Sequence, residues 1–185
     1  MKKVILALAI LSMVTGIATA CPILGLYNSG NFWVNPEGAF IPFHLDLYLV
    51  HSEYYFTAVE YQLKTPWDLT HQKFVILNVE YPDNHSVELG SAFDGHSLAF
   101  WPPCTGYPEG CDLLARFTCM TTVPCDQMWD FPVIVGPHPI TGYVRGTYWP
   151  DNEMTSIHGA SAIICAKAVP VESTSWGAMK SMFRD

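Results

Sequence analysis

The sequence predicts an all-β protein, an antiparallel β-sandwich, and three observations carry this prediction. About eight or nine short segments have strand character, clusters of Pro, Gly, Asn and Asp separate them, and no amphipathic helix lies between them. Parallel α/β folds need crossover helices, so they are excluded. We therefore expect residues 21–168 to fold as one β-sandwich domain, because a chain of this length can bury a proper core.

Alternation of apolar and polar residues identifies the strands. Residues 43–50 are apolar at the odd positions, which is the period-two pattern of a half-buried strand. Residues 58–64 alternate in the same way, and residues 74–81 are rich in β-branched side chains. A proline follows each of these two segments and ends it, because proline lacks an N–H and has a fixed φ. The remaining predicted strands are 23–27, 97–101, 113–121, 131–135, 142–148 and 161–167.

The first twenty residues have the three parts of a secretory signal peptide. Lys2 and Lys3 precede an apolar stretch, and a small-x-small ending follows at Ala18 and Ala20. The apolar stretch is shorter than the roughly 20 residues that a bilayer-spanning helix needs, so we expect no transmembrane span. The sequence thus predicts a signal peptide at 1–20, cleavage before Cys21, and a secreted, extracellular or periplasmic protein.

A cysteine directly after the cleavage site leaves a second interpretation open, in which Cys21 is acylated and anchors the protein to a membrane. The lipoprotein signal usually has Leu three residues before the cysteine, where this chain has Ala18. The chain also has an even number of cysteines only if Cys21 keeps a free sulfur to pair. Soluble export is therefore the expected outcome, with a lipid anchor as the alternative.

The six cysteines predict three disulfides in an exported protein. Six cysteines allow 15 pairings, and short loops favour bonds between cysteines that lie close in sequence. A zinc site is not supported, because no Cys-x-x-Cys or Cys/His pair has ligand spacing. The expected bonds are Cys104–Cys111, Cys119–Cys125 and Cys21–Cys165.

Charge and aromatic content restrict the class of partner. After removal of the signal peptide the formal net charge is about −10, which excludes nucleic acid and anionic lipid as partners because both need a basic patch. Aromatic residues make up 14% of the chain, and exposed aromatic side chains are common where proteins or sugars are bound. The aromatic residues are expected first to fill the core of the sandwich, and a protein or glycan partner at the cell surface is the functional alternative for those that are exposed. The candidates for sugar binding are Trp33, Trp67, Trp101, Trp129 and Trp149.

The segment from Gly95 to Ala99 is close to the G-x-S-x-G nucleophile elbow, with Ser97 in the serine position. The elbow requires a strand, a strained turn and a long helix. Pro102 and Pro103 would stop such a helix within one turn. We therefore expect Ser97 to begin an ordinary strand and the protein to be no enzyme, with a secreted hydrolase as a further alternative.

Acidic residues and histidines supply only weak candidates for other chemistry. Glycoside hydrolysis needs two carboxyl groups about 5 to 9.5 Å apart, and the sequence does not bring any two together. The seven histidines are scattered singly, so most are expected to be solvated. No cofactor is expected, although calcium is possible at acidic loops. The carboxylate candidates are Asp46, Glu53, Glu60 and Glu80, and the calcium candidates are Asp83, Asn84, Asp94, Asp151, Asn152 and Glu153.

The succession FHLDLYLV, TAVEYQLKTPWDL, FVILNVEYP, LGSAFDGHSLAF and LLARFTC resembles bacterial cohesin-like domains. That resemblance implies a jelly-roll sandwich, whereas strand spacing alone would also suit an immunoglobulin-like one. Cohesins bind dockerin modules through one flat sheet face. The resemblance therefore implies a secreted, noncatalytic protein with an adhesive or scaffolding role.

Residues 169–185 are predicted to be a linker and a short C-terminal amphipathic helix. Trp176, Met179 and Phe183 recur at spacings of three and four. The ending resembles the S-T-x-W-G-x-x-K tails of uncharacterised exported bacterial proteins. Because a two-turn helix is marginal alone in water, we expect residues 176–183 to act as a detachable address or a docking peg through these three side chains, outside the core.

Overall fold

Thirteen strands and one short 3-10 helix make up the part of the chain that the computed structural model describes, residues 22–50, 55–66, 73–105 and 112–167. The predicted all-β sandwich is confirmed. No helix within these ranges is long and apolar enough to cross a membrane. The strands are β1 (Ile23–Tyr27), β2 (Trp33–Val34), β3 (Phe43–Val50), β4 (Tyr55–Lys64), β5 (Phe74–Glu80), β6 (His85–Ser91), β7 (Gly95–Thr105), β8 (Asp112–Thr121), β9 (Phe131–Gly136), β10 (Arg145–Trp149), β11 (Glu153–Ser156), β12 (His158–Ala160) and β13 (Ala162–Ile164).

Sheet 1 has five strands in the order β12-β1-β3-β8-β5. Its neighbours are antiparallel except for β1 and β12, which run parallel. Alternate residues of its central strands point to the other sheet and are fully buried, among them Leu24, Leu45 and Phe117. This is the period-two burial that the sequence pattern of residues 43–50 predicts.

Sheet 2 is organised around β4. One edge of β4 pairs with β7, which in turn pairs with β6. The other edge pairs with β10 along residues 55–60 and with β9 along residues 62–64. The sheet continues from β10 to β11 and from β9 through β13 to β2. The inner side chains of this sheet, such as Val59, Leu98 and Val133, pack on those of sheet 1 in one hydrophobic core.

The strand boundaries agree with the sequence pattern for β1 and β3 and extend it for most of the others. Four strands were not predicted, namely β2, β6, β11 and β12. Three of these have only two to four residues. The sheets are mainly antiparallel as expected, but β1 with β12 and β2 with β13 form parallel pairs because the chain crosses between the sheets near its end.

The disulfide pairing differs from the expectation. Cys125, in the 3-10 helix after β8, is bonded to Cys165 at the end of β13, with the two Cα atoms 5.1 Å apart. The predicted bonds Cys119–Cys125 and Cys21–Cys165 are therefore wrong. Cys119 lies in β8 and points into the core, so it cannot reach the loop that holds Cys125.

Cys104 is also a buried free thiol, which contradicts its predicted bond to Cys111. Cys21 and Cys111 lie outside the described residues. The same holds for the tail residues Trp176, Met179 and Phe183 and for the signal peptide, so the predictions made for them stay predictions.

Candidate functional site

Cross-strand pairing places two rows of side chains on the solvent side of sheet 2, which we call the outer face. Residues directly opposite each other on neighbouring strands project to the same side of a sheet. The first row crosses five strands from β6 to β11. It consists of Leu89, Ser97, Glu60, Arg145 and Ser156.

The second row lies beside the first, two residues further along each strand. Its members are Val87, Ala99, Ala58, Thr147 and Met154. In both rows the side chains at either end are large or exposed, and those on β7 and β4 are mostly small. The outer face therefore has a shallow floor between an apolar ridge on β6 and a second ridge on β11.

An ion pair lies in the first row at the centre of the outer face. Arg145 Nε donates to Glu60 Oε2 at 2.6 Å, and each side chain is 26% exposed. Because the two charges neutralise each other within the sheet, the floor carries no unpaired charge at this point. A partially exposed pair of this kind contributes little to stability, and a partner that covers it has to offset the desolvation of both charges.

Aromatic side chains close the far end of the outer face. Tyr55 on β4 lies opposite Trp149 on β10. The ring of Trp149 contacts that of Trp101 on β7 edge to face, with ring centroids 5.6 Å apart and an interplanar angle of 74°. Edge-to-face packing is the arrangement that aromatic pairs prefer. The three rings form a wall beside the second row.

The outer face exposes an unusual amount of apolar surface. Seven large side chains are each 46% to 65% exposed, and monomeric soluble proteins seldom leave such residues contiguous unless the patch is functional. A depression of about 170 Å³ lies along β10 and β11 and is lined in part by Tyr143 and Met154. The seven residues are Tyr55, Val87, Leu89, Trp101, Tyr143, Trp149 and Met154.

A tight hairpin holds the β6 ridge in place. Gly90 has a φ of +83°, and a Cβ there would collide with the carbonyl oxygen of Gly95 on the facing strand. Glycine is therefore required at position 90. In the turn, Ser91 Oγ donates to Asp94 Oδ2 at 2.7 Å. This geometry fixes the register that presents Val87 and Leu89 to solvent.

The solvent side of sheet 1 is different in character. Its central feature is a bidentate ion pair, in which Arg116 Nε and Nη2 donate to the carboxylate of Asp46 at 2.7 and 2.9 Å. Tyr27 lies directly opposite Asp46, and its ring contacts those of Phe32 and Tyr48, so an aromatic cluster adjoins the ion pair on this side. The cross-strand sets on that side are Asp46, Arg116 and Glu80, and His44, Thr118 and Asn78.

A buried polar network lies beneath the outer face. His96 Nδ1 is 2.8 Å from the hydroxyl of Tyr61, and His96 Nε2 is 3.1 Å from Glu88 Oε1. A carboxylate only accepts, so Nε2 carries the proton and Tyr61 donates to Nδ1. The Tyr81 hydroxyl also hydrogen-bonds to Glu88. The hydroxyl, imidazole and carboxylate thus form a chain from the core to the edge of the sheet.

Burial determines the protonation of this network. Desolvation lowers the pKa of His96 below its usual 6.5, and it raises the pKa of Tyr61 well above its usual value. The hydrogen bond from Tyr81 lowers the pKa of Glu88. Because Tyr61 is fully buried, its hydroxyl cannot attack a substrate, and the network fixes β4, β6 and β7 relative to each other. The titratable groups near His96 are Tyr61, Tyr81, His85, Glu88 and His138.

Ser97 lies within β7, paired on both sides with β4 and β6. The chain continues as strand to Thr105, so the strand, turn and helix of a nucleophile elbow are not formed around it. Ser97 is instead part of the floor of the outer face. His96, beside it, is buried and is thus an exception to the expectation that most histidines are solvated.

The acidic candidates are dispersed. Asp46 and Glu60 belong to ion pairs on different sheets, Glu80 lies beside Arg116, and Glu53 lies outside the described residues. Within the described ranges no group of three or more His, Cys, Asp or Glu side chains could hold a metal ion. The calcium candidates lie in separate turns, where Asp94 accepts from Ser91 and Glu153 accepts from Tyr148. Calcium binding stays a prediction.

The tryptophans predicted for sugar binding separate into two groups. Trp101 and Trp149 are in contact on the outer face of sheet 2. Trp33 also projects from the solvent side of sheet 2, but from the edge strand β2, beyond β9 and β13 and outside the two rows. Trp129 is exposed after the 3-10 helix, and Trp67 is outside the described residues. The structure therefore brings together two of the five candidates.

No protein-family model and no curated protein matches the sequence. Among solved structures, a cohesin module from a family 33 glycoside hydrolase of Clostridium perfringens matches with a TM-score of 0.51 and 9% identity, covering 80% of this chain and 98% of that one. The seventh ScaB type I cohesin from Pseudobacteroides cellulosolvens has a TM-score of 0.47 and 16% identity, with 82% and 96% covered. A non-cellulosomal cohesin from Archaeoglobus fulgidus has a TM-score of 0.47 and 9% identity, with 89% and 100% covered.

The similarity to the Clostridium perfringens module shows that the sandwich has a cohesin-like fold. The fold resemblance inferred from the strand sequence is thereby confirmed. The comparison does not test the resemblance of the C-terminal segment to exported tails.

Proposed function

We propose that this protein is a secreted, noncatalytic binding module with an adhesive or scaffolding role, and that it holds a protein partner on the outer face of sheet 2. The observation that carries the proposal is the set of exposed apolar side chains on the outer face, namely Val87 and Leu89 on β6, Met154 on β11 and the aromatic wall. The solvent side of sheet 1 instead has a bidentate ion pair beside the rings of Tyr27, Phe32 and Tyr48. The cohesin-like fold supports the proposal, since the family resemblance implies protein binding through a sheet face.

The dimensions of the face suit an α-helix. Neighbouring strands lie about 4.8 Å apart, so the ridges on β6 and β11 are separated by roughly four strand spacings, or about 19 Å. A helix with its side chains has a diameter of about 10–12 Å. It would lie on Ser97, Ala99, Ala58 and Thr147 and on the ion pair of Glu60 with Arg145, between Leu89 on one side and Met154 on the other.

The aromatic wall would supply the strongest contacts. Tryptophan and tyrosine are enriched among the residues that contribute most to protein interfaces, where truncation often costs about 2 kcal/mol or more. The acidic net charge of the protein favours a basic partner, because charge complementarity increases the rate of encounter. Trp101 and Trp149 are therefore expected to be anchors, with Leu89 and Met154 as flanking contacts.

The contact between Trp101 and Trp149 also favours a second candidate, a carbohydrate-binding surface. Two exposed rings side by side offer apolar faces on which a sugar can stack. A glycan array distinguishes the two functions. Binding of a defined glycan that is lost in Trp101→Ala but kept in Leu89→Arg would favour the sugar site, since Leu89 lies at the other end of the face.

The proposed function is tested by affinity capture from the extracellular proteins of the producing organism. Ala58→Arg places a long charged side chain on the centre of the floor, and Thr118→Arg makes the same change on the outer face of sheet 1. Both positions are half-buried on strands. We expect a protein that is captured by the wild type and by Thr118→Arg to be lost with Ala58→Arg. Equal capture by both variants would contradict the proposal.

A further inference from the structure

We propose that residues 176–184 of the same chain form a removable cover on the outer face of sheet 2. This inference uses the face of the proposed function, and it adds an intramolecular occupant that a partner has to displace. It rests on the exposed apolar side chains of that face and on the sequence that follows Lys167. It also rests on the charges of the tail and the sandwich, and on the length of the linker between Lys167 and Trp176.

The exposed apolar side chains of the outer face could be covered by a segment of the same chain. Among the undescribed segments after the signal peptide, one is long enough to supply a helix. The internal segments 51–54, 67–72 and 106–111 have four to six residues each. The chain after Lys167 has eighteen residues. It includes Trp176, Met179, Met182 and Phe183, whose spacing would align them on one side of a helix.

Charge is compatible with the same pairing. Residues 21–167 contain fifteen Asp or Glu and five Lys or Arg, whereas the tail after Lys167 has Lys180 and Arg184 with Glu172 and Asp185 and is neutral overall. The predicted helix 176–183 carries Lys180 as its one charged residue, so an acidic sandwich does not repel it. The central ion pair of Glu60 with Arg145 would lose part of its hydration beneath the helix, and the apolar contacts on either side have to offset that cost.

The linker is long enough to reach the face. The backbone N–H of Lys167 donates to Asp130 Oδ1 at 2.9 Å, which places this point just before β9. β9 runs antiparallel to β4, with Ile134 opposite Lys64. Counted along these two strands from Asp130, Glu60 is about eight residues away, which corresponds to roughly 26 Å. The link from Lys167 to Trp176 spans up to about 30 Å when extended. The predicted helix can therefore begin at the first row of the outer face.

Attachment to the same chain makes this occupant effective even when its own affinity is low. A flexible linker of nine residues has an r.m.s. length of about 15–18 Å, less than the roughly 26 Å to be spanned, so the tethered segment acts at an effective concentration below the millimolar value of a matched linker. A separate partner would bind only by displacing it, so the cover would raise the threshold for weak partners and protect the aromatic wall when no partner is present.

Photo-cross-linking of the full mature chain tests the inference. Phe183→p-benzoylphenylalanine places a photoreactive ketone in the predicted helix, and irradiation at low protein concentration is followed by mass spectrometry. We expect monomers cross-linked to peptides of β4, β7, β10 or β11. Covalent dimers would overturn the proposal in favour of docking on a second copy. Cross-links near Trp33 or Trp129, or to sheet 1, or none at all, would overturn it as well.

A synthetic peptide of residues 171–185 gives a second measurement on full-length chains. The variant Trp176→Asp/Phe183→Asp should leave the face open and bind the added peptide at least about tenfold more tightly than the wild type does. Adding Ala58→Arg to this variant should abolish the binding, whereas adding Thr118→Arg should not. Equal peptide affinity of the wild type and the open variant would overturn the inference.

The two proposals fail in different ways. If the peptide does not bind but Ala58→Arg still loses a captured protein, the cover is wrong and the proposed function stands. If the peptide binds the face but capture is the same with and without Ala58→Arg, the proposed function is wrong and the cover stands.

Discussion

The hydroxyl of Tyr61 donates a hydrogen bond to Nδ1 of His96 at 2.8 Å, between two residues that are almost completely buried on neighbouring strands. Removal of this donor leaves a buried nitrogen without a partner, which costs about 1–3 kcal/mol. We expect Tyr61→Phe to lower the free energy of unfolding by that amount in urea titrations. Tyr143→Phe, at an exposed position, serves as the control and should have almost no effect. A loss below about 0.5 kcal/mol in Tyr61→Phe would show that the network is unimportant for stability.

The same network predicts that the protein is destabilised by acid. The pKa of His96 lies below 6.5 in the folded protein, and the pKa of Glu88 is also lowered. The unfolded chain therefore binds more protons as the pH falls. We expect the free energy of unfolding to be greatest above pH 6.5, to decrease as the pH drops below it, and to decrease further below the usual pKa of glutamate.

The variant His96→Gln separates the contribution of His96 to the pH dependence of stability from the contributions of other titratable groups. It should be less stable than the wild type near neutral pH, and its stability should change less as the pH falls below 6.5. A wild-type stability that stays constant from pH 7 to pH 5, or a slope that is unchanged in His96→Gln, would contradict the assignment.

Two buried thiols should be unreactive in the folded protein. Burial raises the pKa of Cys104 to about 12, and it also raises the pKa of Cys119. The thiolate is the reactive form, so neither residue should be alkylated by iodoacetamide at neutral pH until a denaturant is added. Mass spectrometry of tryptic peptides measures both sites. Rapid labelling of Cys119 in the native protein would show that β8 is not packed as described.

The disulfide between Cys125 and Cys165 closes a loop of 40 residues. Loop-closure entropy then predicts a stabilisation of about 4 kcal/mol. The double variant Cys125→Ser/Cys165→Ser should unfold at a correspondingly lower denaturant concentration, whereas Cys119→Ala removes only a buried sulfur. Peptide mapping without reduction should recover the Cys125–Cys165 pair, and recovery of Cys119–Cys125 instead would contradict the structure.

Strand character was predictable where one side of a strand is buried. Residues 43–50 alternate because Leu45, Leu47 and Leu49 face the core, and the observed strand has the predicted limits. Residues 85–91 lie at the edge of sheet 2 and are exposed or half-buried throughout, so no alternation marks them. Only Val87 and Leu89, two apolar residues separated by one position, indicated a strand there.

The candidate site depends on contacts that a single sequence does not contain. Trp101 and Trp149 could each be selected as exposed aromatics, but their contact arises because β4 lies between the strands that carry them. The disulfide shows the same limit. Proximity in sequence favoured Cys119 as the partner of Cys125, whereas the inward direction of Cys119 in β8 prevents that bond.

Oxidative footprinting of the complex with the captured protein tests the central claim most directly. Hydroxyl radicals modify exposed tryptophan and methionine side chains, and the protein has two internal controls outside the two cross-strand rows. Trp33 is 66% exposed on β2, the edge strand of sheet 2 that lies beyond β9 and β13, and Trp129 is 50% exposed in the loop before β9. We predict that the partner protects Trp101, Trp149 and Met154 from oxidation and leaves Trp33 and Trp129 unchanged. Protection of Trp33 or Trp129, with Trp101 and Met154 still oxidised, would contradict the account.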